Sequence, residues 1–403
     1  MLASLLLILT TLITDTTRTD VYLSGQYGEA TMTLRGTSQG GFGVHAQSIY
    51  DFNQSHRVYG EAAYTWNLSR GNQFVENADY RLLYPYLTAD TVGGGMKTET
   101  YFFRGGYRLL KQRVLWHINL QFRAEQSYRE IDPRPKNKVT DLNLETGLGY
   151  SDNSYAYLLS GAFGRYKQTN ELKFYSELGD CMIYHLVGPG TSYTRFAGSK
   201  RESYYSGYHA SVSFALLPNH SGWMAAASYR WTRIGKELHD NTYVPIARLT
   251  TRDLSGEVGY VSPLWRVSVQ GSYAMRRGKQ YVYGDAANNY YELLTTRLNY
   301  KENAWSVGLS VSYRLNLPVG YMVFLASTDY THRYTAALPV ETRWQLLNDL
   351  LTDNTVAVRA AVQYVFPIRG RYCWFVQPLA DYDHYTNTTR HTWQVVFRTG
   401  LTF

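Results

Sequence analysis

Apolar and polar residues alternate with a period of two along most of this chain. In one segment Trp305, Val307, Leu309, Val311, Tyr313 and Leu315 share a face, while Ser306, Gly308, Ser310, Ser312 and Arg314 share the other. In a second, Trp116, Ile118, Leu120, Phe122 and Ala124 oppose Leu115, His117, Asn119, Gln121, Arg123 and Glu125. A third sets Trp265, Val267, Val269, Gly271, Tyr273 and Met275 against Arg266, Ser268, Gln270, Ser272, Ala274 and Arg276. Successive side chains of a strand point to opposite faces, so each segment reads as a strand with one apolar and one polar face. The alternation recurs less cleanly in Val58–Trp66, Tyr101–Leu109, Asp141–Tyr150, Tyr155–Tyr166, Tyr204–Leu216, Trp223–Arg233, Asp253–Tyr260, Leu294–Tyr300, Val356–Phe366 and Trp393–Phe403. Such segments, of about 10 residues and separated by turn residues, mark a transmembrane barrel; soluble strands run nearer 5 or 6.

The pattern therefore predicts an all-β fold: a single antiparallel up-and-down transmembrane β-barrel over residues 20–403. Counting from near Ala30 gives about seventeen candidate strands, and bacterial barrels use even numbers, so the expectation is about 16, with 14 and 18 open. The stretch before Gly41 and the stretch Lys279–Asn289 carry the weakest alternation. Up-and-down order counted from the C-terminus conflicts with that counted from mid-chain, which puts the miscount between about Leu264 and His332. Leu217-Pro218-Asn219-His220 and Pro367-Ile368-Arg369-Gly370 read as short periplasmic turns; Ser69–Gly95, Thr169–Lys200 and Thr335–Asp353 read as external loops. Within the second loop, Leu172, Phe174, Met182, Ile183, Leu186 and Val187 are unusually apolar. They suit a constriction folded inward, a partner-covering surface or packing on neighbouring loops. Trp344–Leu351 has the pattern of a short helix in another loop.

Composition sharpens this picture. Aromatic residues make up 15% of the chain, including 38 tyrosines, and Trp66, Trp116, Trp223, Trp231, Trp265, Trp305 and Trp393 fall near the ends of apolar faces. Rings with a polar tip favour the headgroup level, so the tyrosine excess is expected in two interfacial girdles. Aromatic richness with 18% charge excludes intrinsic disorder. Two cysteines, Cys181 and Cys373, exclude a disulfide scaffold and a cysteine zinc cluster. The apolar run Met1–Ile13 is too short for a membrane helix, which needs about 20 residues; residues 1–17 suit a signal peptide or a buried apolar segment. The net charge of +8 comes from scattered arginines, whereas nucleic-acid binding needs a clustered basic footprint.

If the apolar faces meet lipid, the polar faces line the lumen. The candidate lumen residues are His117, Asn119, Gln121, Arg123, Glu125, Arg266, Gln270, Arg359 and Gln363, together with acids such as Asp141, Glu145, Asp253 and Glu257. Their mixed charge fits either a wet, weakly selective pore or a lumen partly closed by its own salt bridges and loops. Gly36-Thr37-Ser38-Gln39-Gly40 spells Gly-x-Ser-x-Gly but no helical pattern follows it, so it makes no nucleophile elbow; no His-Glu-x-x-His pair occurs, and the histidines lack metal spacing. Asp381, Asp383 and His384 form the one compact acid/histidine group considered for a metal. No catalytic residue, cofactor or metal is expected.

The segment Trp393, Val395, Phe397, Thr399, Leu401, Phe403 resembles the terminal strand of bacterial outer-membrane barrels, whose final aromatic residue is read by the assembly machinery. The early hairpin from Gly41-Phe42-Gly43-Val44 to Tyr59-Gly60-Glu61-Ala62 and the turn Asp132-Pro133-Arg134-Pro135 extend the likeness. In this order of features the chain resembles uncharacterised outer-membrane β-barrels of Bacteroidota. The resemblance implies a place in the bacterial outer membrane, beside nutrient-uptake systems containing energy-coupled receptors and surface lipoproteins. It supplies no catalytic residues. The expected function is a passive pore or an accessory of such a system; a sealed barrel whose external loops bind a lipoprotein or ligand is the alternative, and an enzyme ranks third.

Overall fold

A computed structural model describes residues 17–30, 36–73, 75–175, 182–189, 191–192, 202–240, 242–284, 293–337, 353–369, 372–386 and 390–403. Sixteen antiparallel strands close into one barrel. In chain order they are β1 (Arg18–Ala30), β2 (Ser38–Asp51), β3 (His56–Asn72), β5 (Gly94–Lys111), β6 (Val114–Tyr128), β7 (Arg134–Ser151), β8 (Tyr155–Lys173) and β11 (Ser203–Pro218). The remainder are β12 (Gly222–Asp240), β13 (Thr242–Val261), β14 (Trp265–Tyr283), β15 (Leu293–Asn316), β16 (Tyr321–Ala337), β17 (Thr355–Arg369), β18 (Tyr372–Tyr385) and β19 (Arg390–Thr402). Each strand pairs with its sequence neighbours, and β1 closes on β19 from Asp20↔Thr402 to Ala30↔Thr392. Thr19 and Phe403 exchange two backbone hydrogen bonds at the seam, 2.7 and 2.9 Å long.

The connections sort by rim. At one rim 52–55, 112–113, 152–154, 219–221, 262–264, 317–320 and 370–371 each span only two to four residues. Their chemistry is that of tight turns. Asn53 Oδ1 accepts from the backbone of Ser55 and His56, and Asp152 Oδ1 from Ser154 and Tyr155. Gly320, at φ 85°, supplies the left-handed residue of the β15–β16 turn. The longer connections, 73–93, 174–202, 284–292 and 338–354, all leave the opposite rim.

Several expectations need correction. β1 lies ahead of the segments counted from the sequence, because its outward face holds only Val21, Leu23 and Tyr27 beside Thr19, Gly25 and Glu29. Leu294–Tyr300 and Trp305–Leu315 are one strand of 24 residues, β15. A register shift lies between Gly278 and Lys279 on the partner strand, and both Asn299 and Tyr300 turn into the lumen beside it. This bulge reverses the phase of the alternation, so one strand reads as two. The stretch before Gly41 begins β2, and Lys279–Tyr283 completes β14. The strands also run deeper into the expected loops, with β3 reaching Asn72, β8 Lys173 and β16 Ala337. Residues 1–16, Cys181 and Trp344–Leu351 lie outside the described residues.

The outer face is apolar. Leu148, Leu159, Val212, Leu254, Val258, Val269 and Val307 are each more than half exposed although they sit mid-strand. A water-soluble barrel would carry a large cost for such a belt, whereas lipid solvates it. Tyr101, Tyr208, Tyr229, Tyr273, Tyr313 and Tyr382 are also exposed outward. The tyrosine excess has a second source as well: Tyr84, Tyr86, Tyr166, Tyr205, Tyr300 and Tyr385 are buried inside the barrel.

An arginine at position 307 tests this orientation. Val307→Arg should destabilise folding into lipid vesicles by roughly 1–4 kcal/mol, as for a cation within the apolar belt of a barrel, measured by urea titration. An unchanged midpoint would contradict an outward, lipid-facing Val307.

Candidate functional site: a lumen with two docked segments

Sixteen strands spaced about 4.8 Å apart and tilted about 40° form a ring roughly 30 Å across between backbones. Wall side chains alone leave such a bore open, so whatever narrows it must come from the connections. Two of them fold inward. The β3–β5 connection carries the short helix α1 (Tyr80–Leu83) and strand β4 (Thr88–Ala89). The β8–β11 connection carries β9 (Tyr184–Gly188) and β10 (Thr191–Ser192). β9 pairs with β4 through Thr88↔His185 and Ala89↔Tyr184, making a three-stranded sheet inside the barrel. Leu83, Leu87, Ala89 and Leu186 are buried against Tyr166, Tyr205, Ile234, Leu249, Tyr300 and Tyr385, which reach in from six different wall strands.

Segments docked in this way bring backbone groups that have lost water and need partners. The wall supplies them. Asn137 Nδ2 donates to the Glu76 carbonyl at 2.5 Å and Asn170 Nδ2 to the same oxygen at 3.4 Å. Asn299 Nδ2 donates to the Val187 carbonyl, and its Oδ1 accepts from Tyr86 at 2.9 Å. Arg276 donates to the carbonyls of Arg81, Leu82 and Tyr84 at 3.2, 2.9 and 2.8 Å, holding the C-terminal turn of α1. The fully buried Lys236 on β12 joins the two segments: its Nζ donates to the Leu87 carbonyl at 2.7 Å and the Leu186 carbonyl at 3.3 Å.

A buried charge group lies beside this clamp. Arg129 binds Asp90 at 2.5 Å, sits 3.9 Å from Glu76, and donates twice to the Pro133 carbonyl. It thereby ties the Asp132–Pro135 turn to the first docked segment. Burial first, then the adjacent Asp90, holds the Glu76 carboxyl well above the usual carboxylate range. Toward β6, Arg123 binds Asp79 and also Glu125 at 3.3 Å.

The structure distributes the sequence-derived candidates as follows. Arg123 and Glu125 meet the docked segment through Asp79. His117 and Asn119 face inward but are buried in the wall, His117 lying 3.3 Å from Glu145. Gln121 and Gln363 are half-buried on the inward face of their strands. Arg266 pairs with Glu257 at 2.8 Å, Gln270 donates to Asp329, and Arg359 lies 3.0 Å from Asp329 and 3.7 Å from Asp381. In the apolar loop, Ile183 and Leu186 are fully buried, Phe174 is half-buried and Met182 is exposed. Phe403 is exposed at the short-turn rim, its ring 6.0 Å from Tyr372. Strand alternation puts Asp381 and Asp383 on the face opposite His384. Among the described residues no group of three or more His, Cys, Asp and Glu side chains is arranged to hold a metal.

The whole first docked segment, with Lys236, Arg129, Asn137, Asn170 and Asn299, escaped the sequence reading. One signal was present: Leu82-Leu83-Tyr84-Pro85-Tyr86-Leu87 is as apolar as the loop that was singled out.

A model of the DUF6850 family, described as a family of unknown function, matches residues 6–348. No curated protein matches the chain. Solved structures with a similar fold include CdiB from Acinetobacter baumannii, at 9% identity and a TM-score of 0.45, covering 96% of this chain and 60% of that one. A bacterial polysaccharide outer membrane secretin matches at 10% identity and a TM-score of 0.39, covering 96% and 98%. The beta domain of the Bordetella autotransporter BrkA matches at 12% and 0.35, covering 72% and 98%.

Two outcomes test the clamp. Lys236→Met leaves the buried Leu186 carbonyl without its donor, at about 1–3 kcal/mol, and the Leu87 carbonyl with the Leu186 N–H alone. Residues 75–93 should then become cleavable by protease in the folded barrel; wild-type resistance in the variant would contradict the clamp. Glu76, whose carboxyl has a raised pKa in the docked state, favours docking below the ordinary carboxylate range, and that contribution is lost as pH rises through the raised value. Protease sensitivity of the wild type should therefore grow toward alkaline pH, and Glu76→Gln should flatten the profile. An equally steep profile in Glu76→Gln would exclude Glu76 as the titrating group.

Proposed function

This chain belongs to the DUF6850 family, and we propose that it is an outer-membrane channel for small polar solutes whose bore is set by the two docked segments. One observation carries the reading: the space left beside the docked segments forms a chain of cavities along the opposite wall. Toward the short-turn rim, a cavity of about 480 Å³ is lined by Glu257, Arg266, Gln270 and Arg359. Arg359 also lines the next, of about 100 Å³, with Asp381, Asp383, Gln39 and Gln394. Gln39 and Gln394 in turn line a third, of about 380 Å³, with Gln26, Asn67, Thr98 and Tyr80. Shared residues thus link all three; amides, hydroxyls and paired charges line the second and much of the third, while the first also presents Leu325, Ala361 and Leu379.

Half of the Arg359 side chain, 52%, is exposed within the lumen, which fits a water-filled passage. The ion pairs Arg266–Glu257 and Arg359–Asp329 balance charge along it, so the passage favours polar solutes with little ionic preference of its own. The expected setting is the outer membrane, with the short turns facing the periplasm, as in other barrels of this type.

Purified, refolded barrel should conduct in a planar lipid bilayer. Replacing residues 75–91 with a flexible glycine-serine linker should raise the unitary conductance several-fold, and Gln394→Trp should lower it. A barrel that migrates as folded on a denaturing gel yet shows no conductance, with or without residues 75–91, would refute the channel and favour a surface-binding role.

A further inference from the structure

A fourth cavity lies off the chain of spaces just described, between α1 and strands β14–β16, and has a volume of about 260 Å³. Three arginines line it: Arg81 from the docked segment, Arg276 from β14 and Arg333 from β16. Glu302 is the one acidic residue in the lining. Its carboxylate accepts from Tyr300 at 2.5 Å and stands 3.9 Å from Arg276. The other contacts of the arginines are to neutral groups. Arg81 donates to the Tyr385 hydroxyl at 2.8 Å, Arg276 to the α1 carbonyls, and Arg333 to the Asp353 carbonyl and, at 2.9 Å, to the Thr355 hydroxyl. Asp253, a further acid on the neighbouring β13, lies within the field of Arg276 as well as of Arg230, which stands opposite it in the β12–β13 ladder. Among the described residues the recess thus holds more arginines than acids, next to a lumen in which Arg123, Arg266 and Arg359 are paired with carboxylates.

Converging cations are costly to bring together away from water. Structural need accounts for one of them, since Arg276 holds α1; among the described residues, the side-chain hydrogen bonds of Arg333 are made through one nitrogen, Nη1. Guanidinium groups match oxyanions in shape and charge. The volume takes several waters at about 30 Å³ each, or one small anion with its first waters.

We propose that this recess is a binding site for a small oxyanion, a phosphate or carboxylate group, free or carried on a solute passing through the lumen. This deepens the channel reading only in assigning the site to passing solutes; the binding itself stands without it. Arg81 couples the site to the docked segment, so a bound anion draws α1 toward β14 and β16. The site then favours the docked state.

Calorimetric titration of inorganic phosphate, and separately of acetate, into the detergent-folded full chain tests it directly. Saturable one-to-one binding of either anion is expected, with affinity reduced at least tenfold in the Arg81→Gln/Arg333→Gln double variant and unchanged in Arg266→Gln. Acetate binding with weak phosphate binding would identify carboxylate as the preferred group, and the reverse phosphate; both support the site. No saturable binding of either anion to the wild type overturns it, whatever the variants do, and so does undiminished binding in a folded double variant. Conductance is recorded on the same preparations. Binding without conductance removes the channel and keeps the site; conductance without binding does the reverse.

Discussion

An inward-folded loop is stable only if its backbone polar groups find partners in place of the water they leave. That requirement organises the interior of this barrel. The wall residues that meet the docked segments are Asn137, Asn170, Asn299, Arg276 and Lys236, each with donors to spare and each aimed at a carbonyl. Lys236 is the most constrained of them: a buried amino group is tolerable only when well hydrogen-bonded, and it spans both segments. An apolar residue there would leave the β4–β9 pairing as the bond between the two segments and remove the wall's hold on both.

Satisfying the segments on one side leaves the other side wet. The docked residues use Tyr166, Tyr205, Ile234, Leu249 and Tyr300 as their apolar bed, whereas β17–β19 and β1–β3 present glutamines, asparagines and paired charges to open space. This asymmetry turns a barrel too wide to be filled by its own side chains into a narrow passage along one wall. It also places the arginine recess at the border between packed and open halves, where an anion can reach it.

The barrel was legible in the sequence because lipid and lumen impose opposite polarity on alternate residues. The inward-facing set Arg123, Arg266, Gln270 and Arg359 followed from the same rule. Where the rule breaks, the reading failed for a physical reason. The bulge at Asn299 and Tyr300 reverses the phase within β15, and it does so to deliver both side chains to the docked segments. Thr19, Gly25 and Glu29 dilute the outward face of β1. Tyrosine served two environments with one composition, so girdle and lumen core could not be told apart by counting. The docking of residues 75–93 was hidden because an apolar loop looks the same whether it covers a partner or enters a pore; the distinction lies in Lys236 and the wall asparagines, far away in sequence.

The central claim is that, at the level of the docked segments, water and solute follow the β17–β3 wall while the β8–β15 wall is occupied. Cysteine accessibility measures this most directly. With Cys181 and Cys373 replaced by serine, single cysteines at Arg359, Gln394 and Gln39 should react quickly with a small membrane-impermeant thiol reagent in the reconstituted barrel. Cysteines at Tyr205 and Leu249 should stay protected. Equal labelling of both sets, or protection of the first and reaction of the second, would contradict the account.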